Sequence, residues 1–304
     1  MLLAGACLLL IQVLPSITLE TYEIADNVYS FGGNFYFSMF IVTGEGVMVI
    51  EPLNTPHARE MLQSIRNITS QPIKYLFYSH NHWDHTAGGQ VFKDEGATII
   101  SHQDAYDWIK DNPREDIVLP DETWSGKQKD ITLGNIKLEL QYFGLNHGLG
   151  NTLFLVPAAK VAYIADNMTP NSIGFTVMPD FNIKQWQRTL GEYLDVDFNK
   201  AVYGHSNNPD AIKGGDKEDI EQFKQFLEDI REGIDAELKK GKNPFAIPAT
   251  LKLPKYKDWV HYDEWLEMNI WAVFLDDHMG PYLARSPKVL KPRKKFGSIK
   301  AIFG

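Results

Sequence analysis

The stretch Ser79-His80-Asn81-His82-Trp83-Asp84-His85-Thr86-Ala87-Gly88-Gly89 decides how this chain is read. It places four imidazole or carboxylate groups within six residues, in the pattern H-x-H-x-D-H. Donors of this kind at this density suit zinc or a similar transition metal. Three histidines so close repel one another when charged, and burial without partners is costly. A solvated polar loop is the plain alternative, and it leaves the density unexplained. His80 and His82 are two apart and can converge on one ion. Asp84 and His85 can then turn towards a second.

One short loop cannot close two metal shells, so further donors must come from elsewhere. His147 lies in Gly144-Leu145-Asn146-His147-Gly148-Leu149-Gly150-Asn151-Thr152, a turn-rich segment between two apolar runs. Asp166 ends the run Val161-Ala162-Tyr163-Ile164-Ala165, and His205 follows Ala201-Val202-Tyr203-Gly204. Each sits at the end of an expected strand, where a loop carries a functional group on a rigid base. The other histidines, His57, His102, His261 and His278, lie outside such turns and are expected on the surface or in packing.

Through these motifs, in this order, the chain resembles the metallo-β-lactamase superfamily of metallohydrolases over roughly Tyr22 to Asn207. The resemblance implies that His80, His82 and His147 hold a first metal. It implies that Asp84, His85 and His205 hold a second, and that Asp166 bridges both. It further implies two zinc ions per chain and hydrolysis by a hydroxide held between them, with Asp84 both ligand and catalytic orienting group. Bound zinc lowers the pKa of water to about 7. No Ser–His or Cys–His nucleophile pair stands out, which is consistent with water as the attacking group.

Departures from the superfamily pattern narrow the chemistry. Cys7 is the only cysteine, so no thiolate is available where true β-lactamases often place one, and Asp166 stands there instead. This favours ester, thioester, lactone and phosphodiester substrates over β-lactams. Glu51-Pro52-Leu53 replaces the usual Asp-Thr-Gly, and the longer carboxylate is expected to support the metals from behind. His82 occupies a position that flavodiiron relatives give to glutamate, which favours hydrolysis over electron transfer. The mononuclear iron thiol dioxygenases of the same superfamily stand as the alternative.

The chain has 304 residues, with Lys and Arg totalling 30 against 39 Asp and Glu, a formal charge of −9. That balance disfavours polyanions such as nucleic acid and ranks a carbonyl ester, thioester or lactone above a phosphodiester. A small-molecule substrate is expected; the oligomeric state is not legible. Residues 1–20 read as a signal peptide, with a membrane anchor as alternative, because Met1–Ile17 is apolar yet short for a bilayer span. A secreted or extracytoplasmic location follows from that reading. The main domain is expected over 21–210 and a helical extension over 211–304, ending in a basic tail with Lys291, Arg293, Lys294 and Lys295.

Met39–Val42 and Val47–Ile50 flank Thr43-Gly44-Glu45-Gly46 as a hairpin. Thr55 and Pro56 mark a helix start, as N-cap and first helical residue. Ile73–Tyr78 is a strand that delivers the histidine motif, and strands recur between Ile131 and Ile164. Ile220, Phe223, Leu227, Ile230, Ile234 and Leu238 form a helical stripe, and a second, aromatic-rich helix covers Tyr262 to Phe274. Interleaved strands and helices suit an α/β fold of two mixed sheets with outer helices. The superfamily resemblance implies the αβ/βα sandwich, with C-terminal helices docked on it. Phe35, Tyr36, Phe37 and Met39, together with Trp83, are candidates for an apolar substrate wall.

Overall fold

The structure is a computed structural model that describes residues 19–280. The apolar N-terminal segment with Cys7, and the basic tail, lie outside the described residues. Two sheets pack face to face. The first is built from β1 (Glu20–Ala25), β2 (Val28–Gly33), β3 (Phe35–Thr43), β4 (Gly46–Ile50), β5 (Ile73–Phe77), β6 (Thr98–His102) and β7 (Glu122–Trp124), in that order across the sheet. The second runs β12-β11-β10-β9-β8, from β8 (Gln128–Leu133), β9 (Ile136–Tyr142), β10 (Thr152–Val156), β11 (Val161–Ile164) and β12 (Lys200–Tyr203). A short β13 (His205–Ser206) then crosses back to pair with β3 of the first sheet.

Side chains alternate between faces with a period of two, and that alternation fills three apolar layers. On β3 and β4, Phe37, Met39, Ile41, Met48 and Ile50 face the space between the sheets, where they meet Leu138, Leu140, Phe154 and Tyr163. Phe40, Val47 and Val49 face outward onto Ala58, Met61, Ile65, Phe92 and Ile109. These belong to α1 (Thr55–Ile68), α3 (Gly89–Asp94) and α4 (Gln103–Asp111), with the one-turn α2 (Trp83–Thr86) ahead of α3. On the opposite side Leu153, Leu155, Ala162 and Ile164 pack under α5 (Ile183–Asp195), α6 (Lys217–Lys239), α7 (Ile247–Thr250) and α8 (Tyr262–Met279). The result is the αβ/βα layering with C-terminal helices docked on its second face.

The expected hairpin is present, with Thr43 paired to Gly46. The expected start of α1 shifts by one residue. Asn54, not Thr55, is the N-cap, and its side chain accepts from His57 N–H at 3.1 Å. Thr55 instead lies within the first turn and donates to the Ala87 carbonyl at 3.4 Å. Asn outranks Thr as a cap, which is the physical reason for the shift. Among the described residues no helix is long and apolar enough to cross a membrane.

His57 is a packing residue. Ser38 Oγ donates to the Glu51 carbonyl at 2.7 Å, so His57 Nε2–H donates to Ser38 at 3.0 Å. Burial lowers the His57 pKa to about 4, helped by repulsion from His85. The folded value lies below the unfolded one, so the associated stability is full above pH 6.5 and is lost as pH falls towards 4. Urea titrations at pH 7 and pH 5 should show a loss of about 2 kcal/mol from this group. His57→Gln, which cannot titrate, should lose correspondingly less between the two pH values; an equal loss would refute the linkage.

Candidate metal centre

The candidate ligands gather at one edge of the sandwich because parallel strands end there. β4 and β5 run parallel, as do β11 and β12. Glu51 follows β4, His80 follows β5, Asp166 follows β11 and His205 follows β12. Such carboxyl ends are where α/β sheets place their sites. His147 arrives on the loop between β9 and β10. Asn81, inside the histidine motif, accepts the Leu149 N–H at 2.6 Å and pins that loop. Gly148 has a φ of +62°, and a Cβ there would lie 3.0 Å from the His80 ring, so the loop needs glycine at this point.

All seven expected ligands converge. Single donor atoms of His80, His82, His147 and Asp166 lie within 4.8 Å of one another, as do those of Asp84, His85 and His205. Asp166 stands between the groups. Its Oδ2 is 3.2 Å from His147 Nε2 and 3.1 Å from His85 Nε2, and its Oδ1 is 3.1 Å from His205 Nε2. The Nε2 atom of His80 is buried without a hydrogen-bond partner. Imidazole and carboxylate donors with no thiolate, among them His80 Nε2 and Asp166 Oδ1, both buried and without a hydrogen bond, fit a divalent transition metal.

Behind the donors lies Glu51, fully buried and at a φ of +63°, a left-handed conformation rare for this residue type. Its Oε1 accepts from Ser79 N–H at 3.2 Å and from the Ser79 hydroxyl. Ser79 Oγ in turn accepts from His80 Nδ1–H at 2.6 Å, which leaves His80 Nε2 as the free donor. The other oxygen, Oε2, accepts from His85 Nδ1–H and from Tyr163 at 3.1 Å, which leaves His85 Nε2 facing Asp166. One carboxylate thus fixes the tautomer of a histidine in each group.

Taken as protein groups alone, the cluster is electrostatically polarised. Burial pushes the Asp166 carboxyl up, but His205, His85 and His147 outweigh it and hold the group well below the usual carboxylate range. Burial and the neighbouring His82 push His80 well down. For His82 burial acts downward, yet Asp166 and Asp180 raise it to about 9. His85 goes up, against its burial, because of Asp166 and Glu51.

Asp180 is the residue that sequence reading missed. It hydrogen-bonds Nε2 of His82, the nitrogen turned away from Asp166. It sits in an irregular loop between β11 and α5, where no periodicity or motif marks it. The remaining histidines stay out of the cluster: His102 caps α4, accepting from Asp104 N–H at 3.2 Å, and His261 stacks on Trp265.

A cavity of about 560 Å³ opens over the donors. Phe35, Tyr36, Trp83, Trp108, Phe175 and Phe181 line it, with Met168, Trp186 and Phe223 also contributing. Of the four residues expected along β3, only Phe35 and Tyr36 reach it; Phe37 and Met39 are buried in the layer between the sheets. Position along the strand separates them: Phe35 and Tyr36 open β3, with Phe35 at a φ of +86°, whereas Phe37 and Met39 lie deeper between the sheets. Asp84 has a side chain 52% exposed and projects towards this space, 3.4 Å from the Tyr36 hydroxyl. Arg114 lies over the Trp83 ring at 4.9 Å.

Residues 31–205 match the metallo-β-lactamase superfamily. The chain belongs to that superfamily. It carries the metal-dependent hydrolase fold of its members. The chain is 25% identical over 193 residues to the 2,4-dinitroanisole O-demethylase subunit alpha of Nocardioides sp. (strain JS1661), covering 63% of this chain and 58% of that one. It therefore spans little more than half of that curated relative. A metallo-β-lactamase from Pontibacter korlensis superposes with a TM-score of 0.61 at 18% identity, over 69% of this chain and 99% of that chain. A stereoselective inverting sec-alkylsulfatase from Pseudomonas sp. superposes with a TM-score of 0.67 at 18% identity, over 90% of this chain and 52% of that chain.

Proposed function

We propose that this member of the superfamily is a zinc-dependent hydrolase of carbonyl esters, thioesters or lactones, with two zinc ions per chain. His80, His82 and His147 would hold the first ion, Asp84, His85 and His205 the second, and Asp166 would contact both. The observation that carries the reading is an aromatic-walled cavity lined also by His82, Asp84, His147, Asp166 and His205 of this ligand set. Bound zinc supplies Lewis-acid polarisation and a nucleophilic water at neutral pH.

The chain's own residues do the rest. Asp84 is the most exposed carboxylate of the set, so it orients the attacking water and takes up its proton. Water oxygen adds to the carbonyl carbon, the alkoxide or thiolate leaves, and the proton held at Asp84 passes to it. Tyr36 keeps its hydroxyl proton, because burial and the Asp84 carboxylate raise its pKa. It remains a donor at the cavity floor for an oxygen that gains charge. Aromatic walls suit an acyl or ring group and exclude water from it.

The test is kcat/KM of the zinc-loaded protein on aryl esters, acyl thioesters, lactones, β-lactams, phosphodiesters and secondary alkyl sulfates. The last class joins the panel because the alkylsulfatase fold extends over most of this chain. A carbonyl substrate should lead, and elemental analysis should find about two metals per chain, chiefly zinc. Preference for phosphodiesters, sulfates or β-lactams would overturn the ranking. One tightly held iron, with oxygen consumption on thiols, would sink the hydrolase assignment. The export reading rests on the apolar Met1–Ile17 sequence alone and is checked by N-terminal sequencing from the native host.

A further inference from the structure

One wall of the cavity is an irregular segment with several residues in the left-handed region. Asn171, Thr176 and Met178 have φ values of 52°, 42° and 47°. For a β-branched residue such as Thr176 the left-handed region is strongly disfavoured, and it persists only where the surroundings over-determine it. The surroundings here are α8 and the residue that leads towards it. Asn171 carbonyl accepts from Val260 N–H, and Ile173 N–H donates to the Val260 carbonyl, both at 3.0 Å. From α8, the side-chain amide of Asn269 donates to the carbonyls of Gly174 and Thr176 at 2.8 Å each.

Asn269 is fully buried on a helix whose Leu266, Ile270 and Val273 belong to the apolar core. Its Oδ1 has no hydrogen-bond partner, a cost that a purely structural core position would avoid. Its amide also donates to the Trp265 carbonyl of its own helix at 3.2 Å, but the two shorter bonds go to the segment, whose carbonyls flank Phe175. That phenyl group is 58% exposed, lines the cavity, and meets the Trp265 ring edge-on at 5.4 Å. Gly174 is required by this approach: a Cβ there would sit 2.7 Å from Asn269 Oδ1 and 2.8 Å from Met178 Sδ.

We propose that Asn269 is a positioning residue for substrate selection, holding the 171–178 segment so that Phe175 forms the wall against which the apolar part of the substrate lies. The proposal rests on the ester, thioester or lactone activity for its kinetic consequence, though not for its structural one. In the zinc-loaded full chain, Asn269→Leu removes both bonds donated to the segment at similar volume. Hydrogen exchange at residues 171–178 should then speed up by about tenfold or more, while the sheets are unaffected. For an aryl-acyl ester KM should rise about tenfold, with kcat on a small acetyl ester and the metal content unchanged within about twofold. Phe175→Ala should lower the preference for the bulky ester in the parent protein and have no further effect on it in Asn269→Leu.

Should Asn269→Leu fail to fold, Gly174→Ala crowds the same contact with Asn269 intact and is expected to give the same pattern. Unchanged exchange in 171–178 would overturn the proposal. So would equal losses on bulky and small esters, or a Phe175→Ala effect that persists undiminished in Asn269→Leu. If the parent protein cleaves no carbonyl substrate at all, the functional reading fails, and the exchange measurement still decides whether Asn269 holds the segment.

Discussion

Asp84→Asn should fold, retain metal at the His80, His82 and His147 group, and lose turnover by about 10²–10⁴-fold. Asp84 is the one expected ligand whose side chain is more than half exposed, and it faces the cavity within reach of Tyr36. The amide keeps the shape and one acceptor oxygen. It loses the negative charge that a second cation needs, and it cannot take a proton from the attacking water. The loss should fall on kcat, because the aromatic walls that bind substrate are untouched. Near-normal turnover with a normal metal content would show that Asp84 neither holds the second ion nor moves the proton.

Asp180→Asn should weaken metal binding or activity by about 10–100-fold, the usual cost of losing a carboxylate behind a metal-ligating histidine. Asp180 bonds the outer nitrogen of His82, and together with Asp166 it raises that imidazole's pKa against the opposing effect of burial. A neutral amide orients the ring less firmly and makes its inner nitrogen a poorer donor. Competition with a zinc-selective chelator measures the change directly. Unaltered retention of both metals and unaltered kcat/KM would show that the Asp180 contact is incidental.

The histidine motif was legible because its signal is local: four donors in six residues allow few other readings. Asp166 and His205 were legible because each follows an apolar run, and His147 because it lies in a turn-rich segment between two such runs. Two mixed sheets with outer helices followed from the interleaving of strands and helices, the αβ/βα layering only from the superfamily resemblance, and the hairpin at Thr43–Gly46 from its turn residues. What stayed hidden depends on chain segments meeting in three dimensions. Asp180 is an acid in an aperiodic loop, and its bond to His82 exists only once that loop approaches the motif. Asn269 reads as a polar interruption in an apolar helix until the loop it faces is in place. The cavity walls mix β3, α2, the loop before α5 and α6, so no single window of sequence contains them.

The placement of Glu51 bears on how the site assembles. Its two oxygens reach separate ligand groups, through Ser79 to His80 on one side and directly to His85 on the other. In the proposed two-ion centre, whatever orders this carboxylate for one ion would prepare the imidazole that the other ion needs. Loading of the two positions should be positively cooperative, and linkage requires the effect to be reciprocal. A titration at limiting zinc would then contain mostly empty and fully charged molecules, with few carrying a single ion. Where zinc fluctuates, the proposed two-zinc enzyme would act as a threshold device, with activity rising more steeply than metal supply.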